Sequence, residues 1–226
     1  MPVRPLTPTP ETPGALTAFL RGVERRGLVF AALQAGDPAA GDAALAEALR
    51  DFAARAAGTP FADWPRRFWT MLLATPALRG PARPARHAGA LAVLDGLGSG
   101  PRAALLLRLV AGLSGNDAAA VLGVSPPTYR MALQRALPRL EDGSADAERW
   151  RRMGEAAREA IRTLPPERLE RLGAQVPATA VDWSGYRRGP GPAPPVARAW
   201  RLPAMLLALL LTLAALAATW WWPLPG

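Results

Sequence analysis

The sequence predicts an all-α protein, and three observations predict it. Apolar residues recur at helical spacing along much of the chain, and Ser, Pro and Gly stand where helices start and stop. In addition, an uncharged run from Leu202 to Trp222 is long enough to form a membrane-spanning helix. The expected order is an N-terminal helical bundle at 15–80, a linker at 81–98 and a helix-turn-helix bundle at 99–142. An amphipathic helix at 145–172, a Pro/Gly-rich linker at 173–201 and a single transmembrane helix at 202–222 follow.

The first 14 residues, "MPVRPLTPTPETPG", read as a polar, Pro-rich disordered arm without the apolar core of a secretion signal. Residues 15–80 carry three helical stretches. In "ALTAFLRGVERRGLVFAALQAG", Phe19, Leu20, Val23 and Phe30 share a face; in "AAGDAALAEALRDFAARAAG", Leu45, Leu49 and Phe52 do. The third stretch, "FADWPRRFWTMLLATPALR", concentrates Trp64, Arg66, Arg67, Phe68 and Trp69. Two readings stand for it: aromatics that stack on single-stranded DNA between Arg clamps, or an aromatic core with Arg on its rim. The linker at 81–98 includes "PARPARHAGA", which places His87 in a solvated segment with no second ligand or base beside it.

The bundle at 99–142 opens with Ser99 as a cap and Pro101 in the first turn, then Leu105, Leu106, Leu109 and Val110 on one face. Ser114 caps a second helix, with Asp117 three residues on; that helix runs through Ala118, Ala119, Val121 and Leu122 and stops at Gly123. Ser125 caps a third, with Pro126 at its first position, where a missing N–H costs nothing. At about 100° per residue, Tyr129, Leu133, Ala136 and Leu140 turn toward the core. Pro127, Met131 and Gln134 fall opposite, flanked by Arg130 and Arg135. A short helix, a Gly turn and a helix with a polar outer face form the helix-turn-helix plan. In that plan Arg130 and Arg135 clamp phosphates or read guanine, Gln134 pairs with adenine, and Thr128 reaches a phosphate. Ser125 and Met131 complete the candidate DNA-binding set.

Beyond it, "DAERWRRMGEAAREAIRTLPPERLERL" is an amphipathic helix broken at Pro165–Pro166, with Glu155/Arg158, Glu159/Arg162 and Glu167/Arg171 spaced as ion pairs. It packs on the helix-turn-helix bundle or mediates self-association. The run 202–222 matches the roughly 30 Å hydrocarbon layer at about 1.5 Å per residue. Arg187, Arg188, Arg198 and Arg201 precede it, so the N-terminal part is expected on the cytoplasmic side, with Trp220, Trp221 and Trp222 at the far interface.

Composition limits the chemistry. The 226 residues allow one or two domains, and half are apolar. All 27 basic residues are Arg, against 18 acidic ones. The net charge of +9 suits nucleic-acid phosphates or anionic lipid, without choosing between them. The absence of Cys removes disulfides and thiolate metal sites. With one His, no glycine-rich phosphate loop and no paired carboxylates in an apolar setting, no enzyme, metal or cofactor is expected.

The stretch "GLSGNDAAAVLGVSPPTYRMALQRALPRL" resembles region 4 of the sigma-70 family, particularly its extracytoplasmic-function branch. Gly112, Leu113, Ser114, Ala119, Leu122, Gly123, Val124, Ser125, Thr128, Arg130, Leu133, Arg135, Ala136 and Leu140 stand in the family's pattern without a gap. Ala132 replaces a common Arg, Asn116–Asp117 a common Glu pair, and Pro138 falls inside the family's helix, which its ring would bend or end. "FADWPRRFWTMLLATPALR" is similar to the family's late region 2 helix, and "LQAGDPAAGDAAL" is loosely like its opening segment. The family's acidic helix that docks on the polymerase clamp has no counterpart; "EALRDFAARA" comes nearest.

The resemblance implies a sigma-like regulator, and the uncharged run at 202–222 with its Arg flank would tether it at the cell inner membrane. Its region 4-like helix-turn-helix would bind promoter DNA, and its region 2-like bundle would engage core RNA polymerase. An anti-sigma or membrane sensor protein is a further partner, and the lipid bilayer holds residues 202–222. The alternative is a diverged membrane-bound interaction protein, a decoy or scaffold that has lost promoter activity. The missing clamp helix and the thinned basic face favour that alternative.

Overall fold

Helices α1 (Pro13–Ala35) and α2 (Pro38–Arg55) form a hairpin because Gly36 takes a left-handed φ of 71° and Asp37 caps the next helix. The Asp37 carboxylate accepts the Ala39 N–H at 2.9 Å, and Pro38 occupies the position where no donor is needed. The two helices approach closely through small residues. A Cβ on Gly41 would lie 2.5 Å from the backbone nitrogen of Ala32. Ala31, Ala35, Ala44 and Ala48 are buried at the same seam.

In the computed structural model, residues 13–56, 59–80 and 87–176 are described. Most of the predicted arm, the linker beyond residue 176 and the predicted transmembrane helix at 202–222 lie outside them. Among the described residues no helix is long and apolar enough to cross a membrane. These residues are all-α, with only an isolated antiparallel bridge between Arg139 and Ala145.

The third N-terminal stretch is not one helix. A 3-10 turn, Phe61–Asp63, leads into α3 (Trp64–Ala74), and α4 (Pro76–Arg79) follows. The break falls at Thr75, which is extended (ψ 142°) because the ring of Pro76 excludes a helical residue before it. The Thr75 hydroxyl donates to Leu72 O at 2.8 Å. Trp64, Phe68 and Trp69 point inward, so the core reading of the aromatics holds and the stacking reading does not. Phe52 stands edge-on to Trp64 and Phe68 at centroid distances of 6.0 and 5.9 Å, a preferred aromatic geometry. Arg66 and Arg67 stay outside.

The predicted linker at 81–98 contains structure. Gly89–Gly96 is a 3-10 turn that buries Leu94 completely. Its carbonyl and that of Leu97 accept from the buried Arg102 guanidinium at 2.7 and 3.2 Å. Burial pulls the Arg102 pKa below its ordinary value, with Asp95 opposing that shift. His87 also departs from expectation. Its Nδ1 meets the Asp95 carboxylate, its backbone N–H donates to the same group at 3.0 Å, and its side chain is 11% exposed. The partner is eight residues away across the turn, a proximity that residue spacing does not reveal.

Helix α5 (Ser99–Leu109) starts from Gly98 as its cap, not from Ser99. The Ser99 carbonyl instead accepts the buried Gln34 side-chain amide at 3.1 Å, tying α1 to α5. Leu105, Leu106 and Val110 are buried as expected, but so are Ala103, Ala104 and Leu107. A helix buried over most of its circumference sits at the centre of a fold. Helix α5 touches α1, α6, α7 and α8.

Helices α6 (Gly115–Leu122) and α7 (Pro126–Ala136) complete the predicted motif. Helix α8 (Ala147–Arg162) lies on the 3-10 turn, α1 and α5, and α9 (Pro166–Gln175) lies on α2. The amphipathic segment thus spans both bundles rather than resting on one. Glu159 pairs with Arg162, whereas Glu155 pairs with Arg151 instead of Arg158. Arg171 donates to the Glu167 carbonyl at 3.3 Å rather than to its carboxylate. The described residues fall in one contact unit with one continuous apolar core, so the two bundles predicted at 15–80 and 99–142 are packed together.

Candidate nucleic-acid interface

The helix-turn-helix is built by local chemistry. Ser114 Oγ accepts the Asp117 N–H at 3.1 Å and donates to its carboxylate at 2.6 Å. The Asp side chain meets the Ser hydroxyl, where the longer Glu of a full capping box would reach the cap's backbone N–H. Helix α6 ends on Gly123 at φ 67°, with the Val124 N–H donating to Ala119 O at 3.0 Å and the Gly123 N–H to Ala120 O at 3.2 Å. That pair of bonds is the Schellman stop, which needs a residue at ease with positive φ. Ser125 then caps α7 by accepting the Thr128 N–H at 3.3 Å.

Tyr129 sets the rotation of α7. It is 1% exposed, and its hydroxyl donates to Ala104 O of α5 at 3.1 Å. Burial raises its pKa above the ordinary phenol value, partly offset by Arg108. Ala136 is buried one face-repeat later and Leu133 is half-buried. Leu140 does not join them: α7 ends at Ala136, Leu137 is extended before Pro138, and Leu140 is 51% exposed in the turn to α8. The physical cause is Pro138, which has no N–H to continue the ladder.

With Tyr129 inward, the six candidate residues Ser125, Thr128, Arg130, Met131, Gln134 and Arg135 are all exposed on α7 and its cap. Met131 is 52% exposed. Neither Arg130 nor Arg135 pairs with a described carboxylate, so both guanidinium groups are available to an anion. Ser125 and Thr128 are partly committed to each other, their hydroxyls 2.8 Å apart. Arg130, Gln134 and Arg135 are therefore the free polar groups of this face. Beside it, Val124 is 37% exposed, an apolar contact that residue spacing did not single out.

Residues 90–140 match the family model of sigma-70, region 4. No curated protein and no solved structure matches the chain. The match begins at residue 90, inside the 3-10 turn that the sequence assigned to a linker, which agrees with the burial of Leu94 in the common core. Covering fewer than a quarter of the 226 residues, this similarity to sigma-70 region 4 implies a DNA-binding factor of the transcription-initiation type.

Proposed function

We propose that this protein is a membrane-tethered, sigma-like transcription regulator of the extracytoplasmic-function type, with α7 lying in the major groove of promoter DNA. The observation that carries the reading is the pair of unpaired, exposed guanidinium groups, Arg130 and Arg135, with Gln134 between them. The opposite face of that helix is held in the core by Tyr129. Guanidinium and carboxamide groups are the side chains that pair with guanine and adenine edges in two-pronged fashion. The N-terminal bundle α1–α4 is the part proposed to engage core RNA polymerase. Residues 202–222 would hold the protein in the inner membrane with the helical part cytoplasmic, near an anti-sigma or sensor partner. No catalytic role is proposed.

The test is fluorescence anisotropy of the full chain in detergent with duplex DNA over a range of salt. Affinity should fall linearly on a log–log plot, because phosphate contacts release counterions. Co-elution with core RNA polymerase on a sizing column tests the N-terminal bundle, and membrane fractionation tests the anchor. Met131 and Val124, both exposed and apolar, favour a second reading in which the motif grips a protein. Absent or salt-insensitive DNA binding would leave that second reading standing.

A further inference from the structure

Among the described residues, basic side chains also converge away from α7. A groove of about 580 Å³ is walled by Arg55 at the end of α2, by Arg66 and Arg67 on α3, and by Ala120 on α6. That volume lies within the roughly 300–1,000 Å³ typical of small-molecule sites. Its charged lining is three Arg and one Asp, Asp63, which leaves the groove cationic.

The cations are accessible to an anion. Arg67 pairs with no described carboxylate. Arg66 pairs with Asp63 and Arg55 with Asp51, but all four of these side chains are about half exposed. Exposed pairs of this kind contribute little, so a doubly charged anion displaces them at small cost. A guanidinium fork can give two parallel bonds to phosphate oxygens, whereas Arg55 and Arg66 each make one bond to their Asp partner.

The rest of the lining is two Thr and three apolar residues. Pro60, Met71 and the Ala120 methyl face the same space, and the hydroxyls of Thr59 and Thr70 already donate to the carbonyls of Arg55 and Arg66. A bare inorganic anion would leave that surface unused. The ligand that fits has two or more negative charges at one end and an organic body at the other. Because Ala120 belongs to α6 and the Arg groups to α2 and α3, the occupant touches both halves of the core.

We propose that this groove binds a free organic phosphate of nucleoside-diphosphate size, held by Arg67, Arg66 and Arg55 and resting its apolar part on Met71 and Ala120. The site stands independently of what α7 binds.

The experiment is isothermal titration of the full chain in detergent with ADP and, separately, inorganic pyrophosphate, alongside duplex-DNA anisotropy. ADP should bind one-to-one and more tightly than pyrophosphate. The double variant Arg66→Gln/Arg67→Gln should weaken it about tenfold or more, as loss of charge-assisted bonds implies. Arg66→Lys/Arg67→Lys, which keeps charge without the fork, should lie between. Arg130→Gln/Arg135→Gln should leave ADP binding unchanged. The substituted positions are exposed, and a thermal melt of each variant verifies the fold. Absence of ADP binding, or its loss in the α7 variant instead, would overturn the proposal. If the α3 variant weakens duplex DNA while ADP does not bind, the groove holds the DNA backbone itself and the free-ligand proposal fails.

Discussion

Arg168 of α9 forms an ion pair with Asp42 of α2, 126 residues earlier, and its guanidinium also donates to Leu28 O at 3.4 Å. Both side chains are mostly buried, 16% and 23% exposed. Truncation at Arg168→Ala leaves a carboxylate short of water and of its partner. A loss of about 1–3 kcal/mol is expected, between the values for surface and buried pairs. Denaturant unfolding of the variant reads it directly. An unchanged midpoint would mean that α9 is an appendage rather than part of the core.

Gly41 is the tightest point of the α1–α2 hairpin. Its missing Cβ would clash with the backbone of Ala31 and Ala32 at 2.5–2.7 Å, and backbone cannot swing aside as a flexible side chain can. Gly41→Ala should therefore destabilise by about 1–3 kcal/mol despite the better helix propensity of Ala. Gly22, with nothing within 4 Å of its Cβ position, is the control: Gly22→Ala should be neutral or stabilising in the same melt.

On α7, Arg135→Ala should weaken duplex DNA binding about equally across sequences if the side chain meets phosphate, and reduce the salt slope by about one. Gln134→Ala should instead act on particular sequences, with about 1–3 kcal/mol of discrimination lost at one base pair. Anisotropy on a panel of duplexes separates the two. Tyr129→Phe removes the hydrogen bond to Ala104 and should cost about 1 kcal/mol of stability while leaving the outer face in place.

The His87–Asp95 contact makes acid stability depend on the 3-10 turn. The hydrogen bonds from His87 hold the Asp95 carboxyl below its ordinary range, with further lowering from Arg102. A depressed carboxylate stabilises the fold at pH values above its unfolded pKa and loses that contribution as pH falls through the folded value. Asp95→Asn should flatten the part of the melting-temperature profile below the ordinary carboxylate range. A variant whose profile still tracks the parent there would show that the turn does not depend on this charge.

The helix-turn-helix and its caps are legible because they are written in neighbouring residues. Ser114, Gly123, Ser125 and Pro126 specify where α6 begins and ends and where α7 begins, through bonds spanning three to five positions. The same periodicity put Tyr129 inside and Arg130, Gln134 and Arg135 outside. Pro138 announces the end of α7, and the periodicity that groups Leu140 with the buried face carries no information past that break.

Other features depend on partners far apart in the chain. Local patterning suffices for an all-α chain with a helix-turn-helix and the polar face that it presents. Only packing decided that Trp64, Phe68 and Trp69 turn inward, because a face that is aromatic and flanked by Arg satisfies either a core or a stacking surface by its pattern alone. Packing also made 89–96 part of the core: Leu94 gains a buried seat and its carbonyl a guanidinium donor only once α5 lies beside it. The groove at Arg55, Arg66, Arg67 and Ala120 is of the same kind, since three helices meet there and no local rule aligns them. Hydrogen bonds over a few residues follow from backbone geometry, whereas burial depends on which surfaces the whole chain brings together.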